Sequence, residues 1–161
     1  MKACIFILLL LISSNITAQQ SGWYWLNPVP QGNDINALQF VNSNTAYVTG
    51  FAGTVLRTTN AGADWTKVAT PMYRNNYDVY FYNNLTGYIA GKGVAKTTDG
   101  GITWSQLLDI DFFFSSMSFI NSNTGYLAGY TGSMGVVYKT TNGGNSFDVF
   151  NIYSMLNSIQ M

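Results

Sequence analysis

The sequence contains no histidine and no glutamate, and its one cysteine is Cys4. These gaps exclude much chemistry. Zinc centres are built from His and Cys, and the common nucleophilic triads need a His base. Cys4 lies at the extreme N-terminus, so the rest of the chain has no disulfide, thiol nucleophile or cysteine metal site. No Asp-x-Asp-x-Asp-Gly loop is present to hold calcium. The expectation is therefore no metal, no cofactor and no enzyme. Charge is scarce as well: 9% of residues are charged, seven basic against seven acidic, where a typical soluble domain has roughly 25%. With no net charge there is no basic field to attract nucleic acid.

What the chain does have in quantity is 47% hydrophobic and 16% aromatic residues, with Asn, Thr, Ser and Gly supplying polarity. That mixture suits short strands joined by tight turns. The one long apolar run, Ala3 to Ile12, follows Lys2 and precedes Ser13, Ser14 and Asn15, with Ala18 ahead of Gln19. A basic start, an apolar stretch of about ten residues and a small residue at the cut have the form of a secretory signal peptide. A membrane-spanning helix needs about twenty apolar residues. Residues 1–18 are expected to be removed on export, which puts residues 19–161 outside the cytoplasm, as a secreted, periplasmic or cell-surface protein. Cys4 stands too early for a lipoprotein acceptor.

The remainder is repetitive. Ile35-Asn-Ala-Leu-Gln-Phe40, Asn76-Tyr-Asp-Val-Tyr-Phe81 and Phe114-Ser-Ser-Met-Ser-Phe119 align, and Tyr47, Tyr88 and Tyr126 follow each at the same distance. A basic residue then opens a Thr-Thr pair at Arg57, Lys96 and Lys139, followed by an aromatic at Trp65, Trp104 and Phe147. Those aromatics are 39 and 43 residues apart (104 − 65 and 147 − 104), the period of a four-stranded propeller blade. With the strands of each repeat lettered a to d, strand a is expected near 35–41, 76–82 and 114–120, and b near 46–49, 87–90 and 125–128. Strand c is expected near 54–58, 93–97 and 135–140, and d near 64–68, 103–108 and 146–150. The three blades thus cover about 35–68, 76–108 and 114–150. Trp23–Leu26 reads as a lone strand d and 156–161 as the first strand of a fourth blade. The fold class is an all-β propeller of four-stranded antiparallel blades, incomplete, since rings take about four to eight blades. Further blades in the same polypeptide, or self-association, would cover its open edges.

Between c and d the repeats read Thr58-Thr-Asn-Ala-Gly-Ala-Asp-Trp65, Thr97-Thr-Asp-Gly-Gly-Ile-Thr-Trp104 and Thr140-Thr-Asn-Gly-Gly-Asn-Ser-Phe147. These resemble Asp boxes, the bacterial neuraminidase repeats. Asn60, Asp99 and Asn142 would accept turn N–H groups, Gly62, Gly101 and Gly144 would take positive φ, and Trp65, Trp104 and Phe147 would bury their rings between sheets. The whole repeat, Thr-Gly-Tyr-x-x-Gly followed by Lys-Thr-Thr-Asp-Gly-Gly-x-Thr-Trp, resembles the propeller domain of the photosystem II stability/assembly factor family. That domain is also widespread in secreted bacterial proteins unrelated to photosynthesis. The resemblance covers nearly all of residues 22–161, and implies structural boxes and a protein-binding scaffold.

Asp-box propellers include sialidases, which bind the substrate carboxylate through three arginines and use a Tyr–Glu pair. This chain has two arginines, Arg57 and Arg74. Any two-carboxylate glycosidase site would have to use Asp alone, and the close pair Asp109 and Asp111 is expected in a loop, where carboxylates are usually just solvated. The a–b and c–d spacings are constant, whereas the b–c spacing varies. In an antiparallel meander the b–c and d–a loops share one face, and variable loops on a rigid scaffold are where binding usually sits. That face is expected to carry Phe51, Tyr73, Arg74, Lys92, Asp111, Phe112, Tyr130 and Met134. The leading functional expectation is a non-enzymatic scaffold binding a protein partner there. The alternatives are a carbohydrate-binding propeller, its aromatics stacking on a glycan, and a fragment of a sialidase-like hydrolase.

Overall fold

The computed structural model describes residues 32–152. The signal peptide expected at 1–18 and the strands expected at Trp23–Leu26 and 156–161 fall outside the described residues. Ten strands follow one another: β1 (Ile35–Phe40), β2 (Ala46–Gly50), β3 (Val55–Thr58), β4 (Thr66–Lys67), β5 (Asn76–Phe81), β6 (Gly87–Thr97), β7 (Ser105–Phe119), β8 (Gly125–Thr131), β9 (Met134–Thr140) and β10 (Asp148–Ile152). All pairings are antiparallel, in the order β1-β2-β3-β4 in one sheet and β10-β9-β8-β7-β6-β5 in the other. The described residues form three consecutive propeller blades.

Strands a of the three blades are β1, β5 and the second half of β7, and each opens on the same irregularity. Ile35, Asn76 and Phe114 pair with Gly50, Gly91 and Gly129, and one residue is then skipped before pairing resumes. A Cβ on Gly50, Gly91 or Gly129 would stand 2.0–2.2 Å from the carbonyl oxygen of Asp34, Asn75 or Phe113, the residue just before its pairing partner. The glycine of Thr-Ala/Gly-Tyr-x-x-Gly is therefore required by the close backbone approach at this bulge.

Two expectations are corrected. Strands b and c of the second blade, placed at 87–90 and 93–97, are one unbroken element, β6, because the connection is only Lys92-Gly93, with Gly93 at φ 113°. Strand d of the second blade and strand a of the third likewise merge into β7, so residues 109–113 are not a loop. Along Asp109, Ile110, Asp111 and Phe112 exposure alternates with partial burial, the two-residue period of an extended strand. This merger makes blades two and three one six-stranded sheet. Strand d of the first blade is shorter than expected, pairing only at Thr66 and Lys67.

The core lies between blades. Tyr47 and Val55 of the first blade pack with Val79, Phe81, Ile89 and Ala95 of the second, with Met72 from the intervening segment. Tyr88, Ala90 and Val94 of the second pack with Phe114, Met117, Phe119, Leu127, Val136 and Tyr138 of the third. Strands a are also joined by side chains that satisfy the backbone of the next strand a. Asn36 Nδ2 donates to the Asn76 carbonyl at 2.7 Å, and Gln39 brackets Phe81, accepting from its N–H and donating to its carbonyl. Asp78 accepts from Met117 N–H at 2.7 Å, and Tyr80 donates to the Phe119 carbonyl at 3.1 Å.

Candidate functional site

The Asp-box turns are structural, and their geometry repeats. Thr58, Thr97 and Thr140 accept the N–H of Gly62, Gly101 and Gly144 at 2.8–2.9 Å. Asn60, Asp99 and Asn142 accept the N–H of Asp64, Thr103 and Ser146 at 2.9 Å each. The boxes' glycines have φ of 90°, 77° and 91°. Asp99 also accepts from Ile102 N–H and the Thr103 hydroxyl, and these bonds, those from Thr103 foremost, hold its pKa down at about 2. Trp104 and Phe147 pack on the cores between blades as expected, but they and Trp65 are only half-buried. Trp104 packs edge-on against Tyr47 and Phe81, and its indole N–H closes the box on the Gly101 carbonyl at 3.2 Å.

Each box is tied to the a–b turn of its own blade. Ala61, Gly100 and Gly143 donate to the carbonyls of Asn44, Leu85 and Asn123 at 2.8–2.9 Å. On the opposite face, the b–c connection of the first blade meets the segment leading into β5: Gly53 donates to the Arg74 carbonyl at 2.8 Å, and Asn75 Oδ1 accepts from Ala52 N–H at 3.1 Å. The two faces are thereby distinct, one of Asp boxes and a–b turns, the other of b–c and d–a connections.

The second face gathers residues from all three blades. Phe51 meets Tyr77 edge-on at 6.3 Å, Tyr77 meets Phe113 at 6.2 Å, and Phe113 stacks on Tyr130 at 5.6 Å. The result is an aromatic row running across the blades, every ring of it half-buried. Beside it Lys92 stands 5.4 Å from the Phe113 ring centre. Lys92 and Arg74 both bind Asp111 Oδ1, Arg74 at 3.1 Å and Lys92 closer still. The hydrogen bond and charge of Lys92, then those of Arg74, hold the Asp111 carboxyl below its ordinary pKa. The Arg74 guanidinium lies 5.3 Å over Tyr73, which is 65% exposed.

Among the residues expected on this face, the structure brings together Phe51, Arg74, Lys92, Asp111 and Tyr130, with Tyr73 beside them. Met134 is exposed at the start of β9, where it pairs with Thr131. Phe112 instead packs on the core between blades two and three, its ring 6.1 Å from Tyr138. In an extended strand neighbouring side chains point to opposite sides, so it is Phe113 that joins the face. Tyr77 and Phe113 were missed by sequence reasoning. The two-residue alternation through Asp109–Phe113 held the signal for Phe113, whereas Tyr77 falls at the bulge, which spacing does not reveal.

Among the described residues no group of three or more His, Cys, Asp or Glu could hold a metal ion, and no helix is long and apolar enough to cross a membrane.

The family profile described as photosynthesis system II assembly factor YCF48 matches residues 58–157. No curated protein matches by sequence. Among solved structures, YCF48 bound to D1 peptide superposes with a TM-score of 0.64 at 20% identity, over 75% of this chain and 41% of that one. YCF48 from Cyanidioschyzon merolae gives 0.63 at 22% identity, over 76% and 41%. An ancestral GH74 enzyme gives 0.69 at 19% identity, over 83% of this chain and 20% of that one. At such identities the likeness is one of fold. The match spans 41% of the length of each YCF48 chain.

Proposed function

The chain belongs to the family of the photosynthesis system II assembly factor YCF48, and from that membership we propose that it is an exported, non-enzymatic scaffold whose b–c and d–a face binds a segment of a partner protein. The observation that carries this reading is the aromatic row Phe51–Tyr77–Phe113–Tyr130, flanked by Arg74, Lys92 and Asp111. Half-buried rings held by one another present apolar area with little further entropy to lose on binding, the property that enriches Tyr and Phe at protein interfaces. Arg74 and Lys92 share Asp111, and Asp109 stands on the same exposed side of β7. The patch thus sets paired charges of both signs beside the rings and favours a polar segment over a strongly charged one. A solved relative in the family is recorded bound to a peptide, which supports the ligand class.

A glycosidase needs one carboxyl that holds a proton and a second placed opposite it. Asp111 is held ionised by Lys92 and Arg74, which argues against it as the acid. Asp109 lies two residues away on the same exposed side of β7.

Peptide display against the full chain, run beside a glycan array, tests the proposal. Selected peptides should bind at least about tenfold more weakly to Tyr130→Ala and Tyr73→Ala, the loss typical of an anchoring aromatic. They should be indifferent to Ile102→Ala, an exposed change on the Asp-box face. Binding of glycans alone, or peptide binding that fails only in Ile102→Ala, would refute this assignment.

A further inference from the structure

Consecutive blades meet at the Asp boxes, and the third box takes two such bonds where the second takes one. Tyr47 of β2 donates from its hydroxyl to the Gly100 carbonyl at 2.5 Å. One blade on, Tyr88 donates to the Gly143 carbonyl at 3.2 Å, and Lys96 donates to the same oxygen at 2.7 Å. Both tyrosines are fully buried. The residue before each of these glycines is the polar residue of the box, Asp99 or Asn142, and Asn142-Gly143 is the one Asn-Gly pair in the sequence.

That pair carries a reaction of its own. A glycine has no side chain to keep its backbone nitrogen from the side-chain amide carbon of the residue before it, and two groups tethered so closely react as one molecule. The Gly143 nitrogen, losing its proton, attacks Asn142 Cγ; the Cγ–Nδ2 bond breaks and ammonia leaves. A five-membered imide remains, and one water opens it at either carbonyl. Opening at Cγ restores the main chain and leaves a side-chain carboxylate. Opening at the main-chain carbonyl carbon leaves the chain running through Cβ, an isoaspartyl link. In the closed box neither reacting group is free. Gly143 is buried, and its N–H donates to the Asn123 carbonyl at 2.8 Å. Asn142 Oδ1 accepts from the Thr140 hydroxyl at 3.0 Å and the Ser146 N–H at 2.9 Å, while its Nδ2 donates to the Ser146 hydroxyl at 2.8 Å.

We propose that Asn142 is a site of spontaneous deamidation, gated by opening of the third Asp box, and that its two products act oppositely on the joint between blades two and three. The aspartyl product gives the third box the residue order of the second, Thr97-Thr-Asp-Gly-Gly101. There the carboxylate accepts the N–H groups of Ile102 and Thr103 and the Thr103 hydroxyl. Ser146 stands where Thr103 does, with a hydroxyl that can turn to donate, so this product closes the same box. The isoaspartyl product lengthens the main chain by one atom just before Gly143. The turn then cannot keep the Gly143 N–H on Asn123 and its carbonyl under Tyr88 and Lys96 together. In the first box Ala61 follows Asn60, and its Cβ hinders the attack; in the second, Asp99 is ionised and has no amide to lose. The third box is therefore the reactive one.

Peptide mapping by mass spectrometry tests this on the full chain held in warm, mildly alkaline buffer. It follows the replacement of NH2 by OH at residue 142 and separates the two products by chromatography. In denaturant Asn142 should deamidate ahead of every other asparagine. The folded chain should react at least about a hundredfold more slowly, because the box opens only rarely. Thr140→Val removes the hydroxyl that holds the Gly144 N–H and Asn142, and should speed the folded-state reaction about tenfold, the effect of one lost buried hydrogen bond. Thr58→Val, the same change in the first box, should leave the rate at Asn142 unchanged. Asn142→Asp should keep the wild-type melting temperature at neutral pH, whereas the isolated isoaspartyl chain should melt lower. Equal rates in the folded and denatured chain, equal acceleration by Thr58→Val, or an isoaspartyl chain as stable as the wild type would each overturn the proposal. Should either valine variant fail to fold, the folded-to-denatured ratio of the wild type and the isoaspartyl melt decide alone.

Discussion

Asp78 lies on β5 with its carboxylate turned to the next blade, where it accepts the N–H of Met117 at 2.7 Å and that of Val79 at 2.9 Å. Burial dominates these bonds and raises its pKa to about 6. The folded state therefore binds a proton between the ordinary value of 3.8 and about 6 that the unfolded state releases, and in that window stability falls as pH rises. Some two units correspond to a loss on the order of 3 kcal/mol. Relative to Asp78→Asn, the wild type should lose stability by up to that amount between pH 4 and pH 7, measured by denaturant melts at each pH. A constant difference would refute it. Asp99 behaves in the opposite sense: its pKa is lowered to about 2, so its contribution is present above the unfolded value and fades as pH falls below about 3.8. Asn60 and Asn142 hold the same turn without a charge. Accordingly Asp99→Asn should keep most of the wild-type melting temperature at neutral pH and lose the acid dependence, whereas Asp99→Ala should lower the melting temperature at every pH. Only half of this distinction is visible in the sequence: Asp99 bonds within four residues, to Thr103, as its box predicts, whereas the partner of Asp78, Met117, lies 39 residues away across a joint that spacing does not reveal.

At the level of the element, the Asp boxes were legible because their chemistry is local: the Thr, Asn or Asp, Gly and aromatic lie within eight residues and bond chiefly to one another. The boundaries of β6 and β7 were not. Asp109 and Asp111 look like loop residues by composition; the register with β6 passes from Leu108 to Phe113 without pairing them, and the contacts of Arg74 and Lys92 with Asp111 hold the extended segment between. The same contrast between local and cross-blade demands separates two equivalent glycines. Gly62 and Gly101 have φ of 90° and 77°, so alanine at either costs about 1–2 kcal/mol of backbone strain. At Gly101 the new Cβ would also lie 2.3 Å from the Tyr47 hydroxyl, whereas at Gly62 the nearest described atoms are 3.9 Å away. Gly101→Ala should therefore exceed Gly62→Ala by about 1–3 kcal/mol, the usual cost of overpacking. Equal losses in thermal melts would show that the Tyr47 joint yields without cost.

Across the whole molecule, stability is divided between two sheets of unequal size. Blades two and three share β7 in one hydrogen-bonded sheet, while the first blade ends in a two-residue β4 and meets the rest only through side chains and turns. In repeat arrays stability is close to a sum of repeat and nearest-neighbour joint energies, and regions with weaker joints open first. The joint of the first blade rests on Tyr47 in the second Asp box and on Gln39, which bonds both backbone groups of Phe81. Gln39→Ala leaves the Phe81 N–H and carbonyl without that partner, at a cost of about 1–3 kcal/mol. Because the loss falls on the joint and not on the six-stranded sheet, it should be read locally. In native-state hydrogen exchange the amides of β2 and β3 should exchange faster than those of β8 and β9 in the wild type. Gln39→Ala should widen that gap by roughly 5- to 150-fold, the same energy expressed as an opening constant. Uniform acceleration of all strands would mean instead that the three blades open as a single unit, and that the merger of β7 confers no separate stability on the larger sheet.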